Sequence, residues 1–561
     1  MTPRTVVRLE GERKAAMARA RQRLTLGIFL VTFSFAALLV RLVDLTVLEG
    51  IDRETRLTLA APEASPPRAD ITDRHGVVLA TSVPAVSLGA RPGRVRDLDG
   101  TAARIVAILP DLELDYVRER LGARRAYVRI KRHITPRQQY LLNAIGEPGL
   151  EFEPEYRRLY PNGRLAAHAV GFVDADGNGK LGVEHFRDAS LKAMVHDGKS
   201  LRLTIDSRVQ HALEDELARA ITRFKAVGGA GVVLDVHSGA TLALASLPDF
   251  DPGAVSASDP RYQFNRATFG VYELGSVFKL FTVANALEAG VADLSSRYDA
   301  TKPIRVAGYT INDTHPEARW LSLPELLIHS SNIATAKLAL DIGGDRQRRF
   351  LGSLGLLEPA ALEISELGFP RFAMRWGDVQ TMTVSYGHGL AVSPLHLAQA
   401  AASILNGGTL IRATMIDDAR AHDSGHRPRV VSEDTSRTMR QLMRLVVTDG
   451  TGRNADVPGY RLGGKTGTAE KAVASGYNRR ANITSFLGAF PMDAPRYVVL
   501  AVLDEPQGID ETHGFATAGW NAAPIVRNVV LRVAPMLGIE PGPWDVELKQ
   551  ARRVMQASYT P

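Results

Sequence analysis

Ser276 and Lys279 lie three residues apart in the segment YELGSVFKLFTVANALEAG, and this spacing suits nucleophilic catalysis by a serine. The run from Val277 to Ala289 is apolar on nearly all sides, which predicts a buried helix that ends at Gly290. At this spacing the hydroxyl and the amine share one helix face. A serine at a helix N-terminus gains an N–H group for an oxyanion, and burial beside a second cation would lower the lysine pKa and make it a base. The same pattern also fits an N-cap serine followed by a surface lysine.

Two later segments carry further candidate residues. Ser330, Ser331 and Asn332 form a polar trio inside the apolar run LLIHSSNIATAKLAL, where they could also be a simple helix cap. Lys465 begins the segment KTGTA after LGG, and glycines on both sides of a short strand indicate a backbone that a ligand approaches closely. The structural alternative for Lys465 is a loop lysine beside a β-hairpin.

The flanking sequence predicts the elements that would position these side chains. Asp206 can N-cap a helix whose apolar residues recur at helical spacing as far as Ile221. The stretch AGVVLDVHSGATLALAS predicts two strands around a turn at residues 237–239. A buried strand is predicted at Tyr497–Leu503 and an apolar helix at Ala523–Leu537. This succession predicts an α+β fold, in which helices cover a largely antiparallel sheet.

Composition excludes several classes of function. The 561 residues predict two or three domains, and 45% hydrophobic content is enough for sizeable cores. Of the net charge of +7, seven basic and two acidic residues place +5 in the first 23 residues, so no basic footprint for nucleic acid remains elsewhere. The absence of cysteine excludes disulfides, thiol nucleophiles and thiolate metal sites.

An apolar segment follows the basic N-terminus. Leu24 to Val40 contains no charge and would be about 26 Å long as a helix, and extension to Leu48 adds only Arg41 and Asp44. The positive-inside rule then predicts a single-pass anchor with a cytoplasmic N-terminus and an exported remainder. A cleaved signal peptide and a buried core helix are the alternatives, but no small-x-small cleavage site closely follows the run. The stretch APEASPPRA at 61–69 predicts a linker.

The segment VDADGNGKLGVEH resembles a calcium-binding EF-hand loop. Asp174, Asp176, Asn178 and Gly179 match the first, third, fifth and sixth loop positions. The twelfth position, which should supply a bidentate Glu, is His185, and the nearest carboxylate, Glu184, comes one residue early. The loop is therefore predicted to be a structural turn with no bound metal.

The three motifs S-x-x-K, S-x-N and K-T-G, in this order, are those of penicillin-recognising serine acyltransferases. The chain resembles class B penicillin-binding proteins, most closely the division-specific FtsI-like D,D-transpeptidases, from the anchor to about residue 540. RADITDRHGVVLA and RRLYPNGRLAAHAVGFVDADGNGKLGVE resemble conserved blocks of the family's N-terminal pedestal, with Ala69 and His75 replacing Gly and Asn. SYGHGLAVSPLHLAQA also resembles a family block, with Ser393 for Thr and His396 for Gln.

The resemblance implies a fold and a domain order. The fold would combine an N-terminal transmembrane helix, an elongated pedestal and a β-lactamase-like transpeptidase domain, which is a five-stranded antiparallel sheet flanked by helices. The implied segments are a cytoplasmic tail (1–23), an anchor (24–48), a linker (49–69), a pedestal (70–200), a transpeptidase domain (201–540) and a C-terminal tail (541–561).

The resemblance also implies a role for each motif residue, without cofactor or metal. Ser276 would attack the penultimate D-Ala carbonyl of a peptidoglycan stem peptide, with Lys279 as general base. The other implied roles are proton relay (Ser330), binding of the donor amide (Asn332), electrostatic tuning (Lys465), substrate binding along the edge strand (Thr466, Gly467, Thr468) and an oxyanion hole from the N–H groups of Ser276 and Thr468. Thr466 and Thr468 would bind the terminal carboxylate.

The implied partners are stem peptides, β-lactams, the lipid bilayer, the membrane glycosyltransferase FtsW and other division proteins. The implied location is the division site of a bacterial inner membrane, with a periplasmic catalytic domain.

An elongation-specific class B enzyme is the alternative function, and the short pedestal and the block at Ser385 favour division. A membrane β-lactam receptor, a β-lactamase and a non-catalytic scaffold are disfavoured. The chain has one predicted span, no E-x-x-L-N element and catalytic residue types at every motif position.

Overall fold

In the computed structural model, the described residues are Met17, Arg21, 25–39, 67–417, 427–473 and 476–542. Residues 25–39 are helical. Among the described residues, no helix is both long enough and apolar enough to cross a membrane. The predicted anchor at 24–48 lies partly outside these ranges, as does most of the basic tail, the linker and the C-terminal tail.

From residue 67 to 202 the chain alternates short strands and helices. In order, these are β1 (Ile71–Thr72), β2 (Val78–Ala90), α1 (Leu98–Ile108), α2 (Leu114–Leu121), β3 (Val128–Ile134), α3 (Pro136–Asn143), β4 (Leu150–Leu159), α4 (Ala167–Val170), α5 (Gly182–Phe186), α6 (Asp188–Met194) and β5 (Leu201–Arg202).

From residue 203 the helices are longer. The elements are α7 (Ser207–Phe224), β6 (Gly228–Asp235), β7 (Thr241–Leu247), α8 (Lys279–Glu288), β8 (Arg297–Asp299), β9 (Ile304–Val306), β10 (Tyr309–Ile311), β11 (Trp320–Ser322), α9 (Leu323–Ile328), α10 (Asn332–Ile342), α11 (Gly344–Ser353), β12 (Arg371–Phe372), α12 (Asp378–Ser385), β13 (Leu390–Ala391), α13 (Pro394–Leu405), α14 (Glu433–Thr448), β14 (Gly463–Val473), β15 (Gly476–Phe490), β16 (Tyr497–Asp504) and α15 (Ala522–Met536).

The chain forms two compact units. The smaller unit comprises residues 84–157 and the described residues before residue 66, and in it the second half of β2 pairs antiparallel with β3. Its helices begin at good caps, since Asp97 accepts from Gly100 N before α1 and Thr135 forms a capping box with Gln138 before α3. A core of its own, which includes Leu88, holds this unit together.

The larger unit comprises the described residues at 67–83 and from 158 onward, and its centre is a five-stranded sheet. The strand order is β14-β15-β16-β6-β7, and every neighbouring pair is antiparallel. The predicted α+β fold with a five-stranded antiparallel sheet is therefore confirmed. The capping of α7 by Asp206, the β6–β7 hairpin, the strand at β16 and the helix at α15 are confirmed as well.

Alternation along the strands gives the sheet two buried faces. Val498, Leu500 and Val502 of β16 belong to the core that contains α8, α13 and α14. Val499 and Ala501 point to the other face, which packs against α7 and α15. Among the described residues, strand β14 has one neighbour in the sheet and so forms its edge, next to the start of α8.

Candidate active site

Ser276 lies in a short 3-10 turn, Gly275–Phe278, that continues directly into α8. The α-helix thus begins at Lys279, two residues later than the predicted start at Val277, because the first turn is tighter. Gly275 has φ +58°, and a Cβ there would lie 2.7 Å from the carbonyl oxygen of Thr468. Only glycine fits this close approach, which brings the backbone of β14 beside the candidate nucleophile.

Lys279 is completely buried and its amine faces the serine. Its Nζ lies 3.0 Å from Ser276 Oγ, 3.1 Å from Ser330 Oγ and 2.7 Å from Asn332 Oδ1, and it also donates to the carbonyl of Ser330. The surface-lysine alternative is wrong, because Lys279 is buried and three other predicted site residues lie around its amine.

Ser330 stands between two lysines. Lys465, also completely buried, donates from Nζ to Ser330 Oγ at 2.8 Å, on the hydroxyl that Lys279 approaches at 3.1 Å. Ser330 has φ +58°, a conformation that costs of order 1–3 kcal/mol for a residue with a Cβ and that is found preferentially at functional sites. Its neighbour Ser331 is the N-cap of α10 and accepts from Ala334 N, so one member of the trio is a helix cap.

Asp313 fixes the polar trio, and sequence reasoning missed it. One carboxylate oxygen accepts from Ser331 Oγ at 2.7 Å, and the other accepts the backbone N–H groups of Asn332 and Ile333 at 2.5 and 3.0 Å. The carboxylate thereby satisfies N–H groups at the start of α10. The segment NDT around Asp313 has no periodicity or spacing that points to this role, since only the tertiary fold brings it to α10.

Both lysines have a pKa below the usual range. Burial lowers the pKa of Lys279 well below 10.5, the charge of Lys465 lowers it further, and Asp313 opposes the shift. Burial alone lowers the pKa of Lys465 to about 7. The lowered pKa makes Lys279 easier to deprotonate, and its amine, 3.0 Å from the Ser276 hydroxyl, lies within the hydrogen-bond reach that a general base needs.

The remaining predicted residues lie along β14. A Cβ on Gly467 would lie 2.3 Å from the carbonyl oxygen of Leu274, so this glycine permits close packing next to the turn of Ser276. Thr466 Oγ1 lies 2.8 Å from Thr451 Oγ1 and within 3.3 Å of Lys465 Nζ. Thr468 Oγ1 accepts from Ala518 N at 3.1 Å. Their predicted contacts with substrate and the predicted oxyanion hole stay predictions.

Polar contacts within the protein occupy the calcium-like loop. Asp174 Oδ1 accepts from the N–H groups of Asp176 and Asn178, both at 2.9 Å, and Lys180 pairs with Asp174 Oδ2 at 2.8 Å. Glu184 is buried in ion pairs with Arg68 and Arg158. Among the described residues, no group of three or more His, Asp or Glu side chains is arranged to hold a metal ion.

Three features define a serine acyltransferase of the penicillin-recognising class. Ser276 lies beside the edge strand, Lys279 with its lowered pKa contacts Ser276, and a second buried lysine, Lys465, donates to the hydroxyl of Ser330. Comparison with known proteins agrees with this class. The penicillin-binding protein transpeptidase domain matches residues 229–530, and the penicillin-binding protein dimerisation domain matches residues 63–199.

Relatives match over most of the chain. A probable peptidoglycan D,D-transpeptidase FtsI from Caulobacter vibrioides is 41% identical, over 84% of this chain and 82% of the relative. The peptidoglycan D,D-transpeptidase FtsI of Escherichia coli K12 is 31% identical, over 89% of this chain and 88% of the relative. The crystal structure of penicillin-binding protein 3 from Mycobacterium tuberculosis with aztreonam has the same fold, with a TM-score of 0.66 and 24% identity over 86% of this chain and 98% of that one. The chain therefore belongs to the class B penicillin-binding proteins of the FtsI type.

Proposed function

We propose that the protein is a peptidoglycan D,D-transpeptidase that crosslinks stem peptides through an acyl-enzyme on Ser276. The observation that carries this proposal is the convergence of two buried lysines on two serine hydroxyls, with Lys279 Nζ 3.0 Å from Ser276 Oγ and Lys465 Nζ 2.8 Å from Ser330 Oγ. The names of the FtsI relatives support the same activity.

In the first half-reaction, Lys279 in its neutral form takes the proton of Ser276 while Oγ attacks the penultimate D-Ala carbonyl. The peptide C–N bond then breaks, and the proton passes from Lys279 through the hydroxyl of Ser330 to the leaving D-Ala amine. The two lysine contacts of Ser330 Oγ, at 3.1 and 2.8 Å, suit this relay. In the second half-reaction the amine of a neighbouring stem peptide replaces Ser276 Oγ on the acyl carbon, which gives a 4,3-type crosslink.

The donor peptide would bind alongside β14 as an added strand. Within the part of the chain that the structure describes, β14 has one neighbour in the sheet, so its other side can pair with an extended peptide by main-chain hydrogen bonds. Asn332 would hold the donor amide, and the hydroxyls of Thr466 and Thr468 would bind the terminal carboxylate near the amine of Lys465. The N–H groups of Ser276 and Thr468 would then bind the oxyanion of the tetrahedral intermediate.

We further infer a septal role at the inner membrane, with a single N-terminal anchor, a periplasmic catalytic domain and β-lactams as inhibitors. The helix at 25–39 has only exposed side chains, which include Leu26, Ile28, Phe29 and Phe33, and a lipid surrounding would cover them. Polymerisation of the glycan would come from the membrane glycosyltransferase FtsW and other division proteins as partners.

The defining experiment is labelling of the full chain with fluorescent penicillin, followed by peptide mapping of the adduct. We expect the adduct on Ser276 alone and no adduct on Ser276→Ala. Ser295→Ala, in a solvent-exposed turn, is the matched control and should label like the wild type. An adduct that persists on Ser276→Ala would refute the assignment of the nucleophile.

The cellular role has a separate test. Depletion of the protein should produce filamentous cells, because septal crosslinking would stop while elongation continues. Rounded or swollen cells would instead assign the protein to elongation.

A further inference from the structure

Glu273, three residues before the nucleophile, is the centre of a polar group that the acylation steps do not use. Its Oε1 accepts from Gly389 N at 2.9 Å, and both carboxylate oxygens lie within hydrogen-bond distance of Tyr477 OH, at 3.0 and 3.1 Å. Its Oε2 lies 3.4 Å from Nδ1 of His388. The carboxylate thus holds an imidazole, a phenol and a loop backbone beside the start of α8.

The loop that carries His388 packs directly against the catalytic turn. Gly387 has φ +87°, and a Cβ there would lie 2.1 Å from the carbonyl oxygen of Gly275, the residue before Ser276. At the other end of the loop, Thr282 of α8 donates to the carbonyl of Ser385 at 2.8 Å. These two contacts hold the loop that carries His388 against the turn of Ser276 and the start of α8.

We propose that His388, oriented by Glu273, takes the proton from the attacking amine in the second half-reaction. This inference rests on the proposed transpeptidase function and adds a residue to its second step. The first step already has a base in Lys279, whose amine is enclosed by Ser276, Ser330 and Asn332. His388 comes from a different element and its side chain is 28% exposed, so it can receive a proton and return it to solvent.

The proposed step balances in atoms and protons. The neutral amine attacks the acyl carbon, a C–N bond forms, and the proton of the attacking nitrogen passes to Nε2 of His388. The ester bond to Ser276 then breaks, and Lys279, which is neutral after acylation and has taken up a proton from water, returns that proton to Oγ. His388 releases its proton to water, so one proton is taken up and one is released, and Lys279 and His388 both return to their neutral forms.

The charges around the imidazole favour this use. Burial lowers the pKa of His388, the carboxylates of Glu273 and Glu470 oppose the shift, and the charge of Lys279 adds to it. The rings of Tyr386 and Tyr477 lie 5.4 and 5.7 Å from the imidazole. The imidazole is therefore neutral at pH 7, and a carboxylate next to Nδ1 favours the tautomer with the proton on Nδ1 and the free lone pair on Nε2.

The test separates the two half-reactions. The full-length enzyme is acylated by an N-acyl-D-alanyl thioester, and the acyl-enzyme is divided between water and D-alanine as the acceptor amine. For His388→Gln we expect the ratio of aminolysis to hydrolysis to fall at least tenfold, while the rate of penicillin acylation stays within twofold of wild type. The inflection below pH 7 in the wild-type aminolysis rate should also disappear. Glu273→Gln should lower the ratio less, because an amide oxygen still accepts from Gly389 N.

His211→Gln, exposed on α7, is the matched control and should leave the ratio unchanged. An unchanged ratio in His388→Gln would overturn the inference and leave the proposed function standing. Equal loss of acylation and aminolysis would also overturn it, because the side chain would then be only structural. A wild-type enzyme that forms no penicillin adduct, or hydrolyses the thioester without any transfer to the amine, would instead overturn the proposed function and the inference with it.

Discussion

Two clusters of buried charge in the larger unit differ in how their charges are balanced. The lysine cluster consists of Lys279 and Lys465 with the hydroxyls and amide around them (Ser276, Ser330, Asn332), and both lysines are completely buried. The arginine cluster consists of Arg68, Arg158, Glu184 and Asp188. There Glu184 binds Arg68 at 2.6 Å and Arg158 at 2.7 Å, and Asp188 binds Arg68 at 2.5 Å.

The arginine cluster pairs two cations with two carboxylates, so each charge is compensated. In the lysine cluster, the nearby carboxylate of Asp313 is bound to Ser331 and to backbone N–H groups, and neither lysine pairs with it directly. Burial without a directly paired carboxylate lowers the pKa of Lys279 well below 10.5 and the pKa of Lys465 to about 7, whereas an arginine stays protonated. The buried charges of the arginine cluster are thus balanced by carboxylates, and those of the lysine cluster are not.

The largest expected effect is on the acylation rate, and it comes from placing an arginine in the lysine cluster. Lys279→Arg keeps the positive charge but places a group that stays protonated next to Ser276. We expect the rate of penicillin acylation to fall by about 10³-fold or more, within the range that a general base contributes. Stopped-flow acylation with intact-mass detection would measure this loss. Acylation of Lys279→Arg at near the wild-type rate would mean that Lys279 acts by charge alone.

Removing one charge from the arginine cluster should lower the stability of the fold and leave the acylation rate unchanged. Glu184→Gln leaves Arg158 without its carboxylate, and breaking a buried pair in this way costs about 3–5 kcal/mol. Thermal unfolding should show a lower Tm, while the acylation rate of the folded enzyme stays unchanged. Glu151→Gln is the control, because its pair with Arg91 is partly exposed and screened by solvent, so its loss should change the Tm little. Equal Tm values for the two variants would contradict the structural role of the cluster.

A smaller effect is expected on how the stability of the folded protein depends on pH, and it should come from Lys465 of the lysine cluster. The pKa of Lys465 is about 7 in the folded protein and about 10.4 in the unfolded chain, so between these values the unfolded chain binds the extra proton. The free energy of unfolding therefore rises with pH through this window, by at most about 1.4 kcal/mol per pH unit. Below pH 7, burial of the protonated Lys465 destabilises the folded protein by its full amount. Lys465→Met should remove this part of the slope in urea unfolding between pH 7 and 9.5.

Lys471→Met is the matched control for Lys465→Met, because both lysines lie on β14. Burial lowers the pKa of Lys471, but its bonds to Asp504 and Glu505 raise it more, so the net shift is upward. Its stabilising contribution is present below the unfolded pKa and is lost only above about pH 10.4. The control should thus leave the slope between pH 7 and 9.5 unchanged. A slope that Lys465→Met also leaves unchanged would show that Lys465 keeps its proton in the folded protein.

The sequence predicted the elements more completely than the contacts. Sequence pattern identified α7, α15 and three of the five strands, β6, β7 and β16, because buried faces leave a regular pattern, but it did not identify β15. Motif order identified every residue of the lysine cluster, because the chemistry needs those residue types. Neither periodicity nor motif order identified Asp313 or Glu273, because their partners are distant in the sequence. Asp313 binds Ser331, 18 residues away, and Glu273 binds Gly389, 116 residues away. The positive φ of Ser330 could not be predicted from the sequence either, because a serine, unlike a glycine, does not indicate a left-handed backbone conformation.

The smallest expected effect concerns the calcium-like loop, which lies next to the arginine cluster in the chain. As in that cluster, cationic side chains bind its polar oxygens. Lys180 and Lys192 bind Asp174 Oδ2 and Asn178 Oδ1, at 2.8 and 3.0 Å, and Glu184 is committed to two arginines. A calcium ion needs six to eight oxygen ligands, and these oxygens already have cationic partners. Calorimetry with millimolar calcium should therefore show no saturable binding, and Asp174→Asn with Asp176→Asn should leave penicillin acylation unchanged. Saturable binding that the double variant abolishes would show that calcium can displace the lysines, and the loop would then be an ion site.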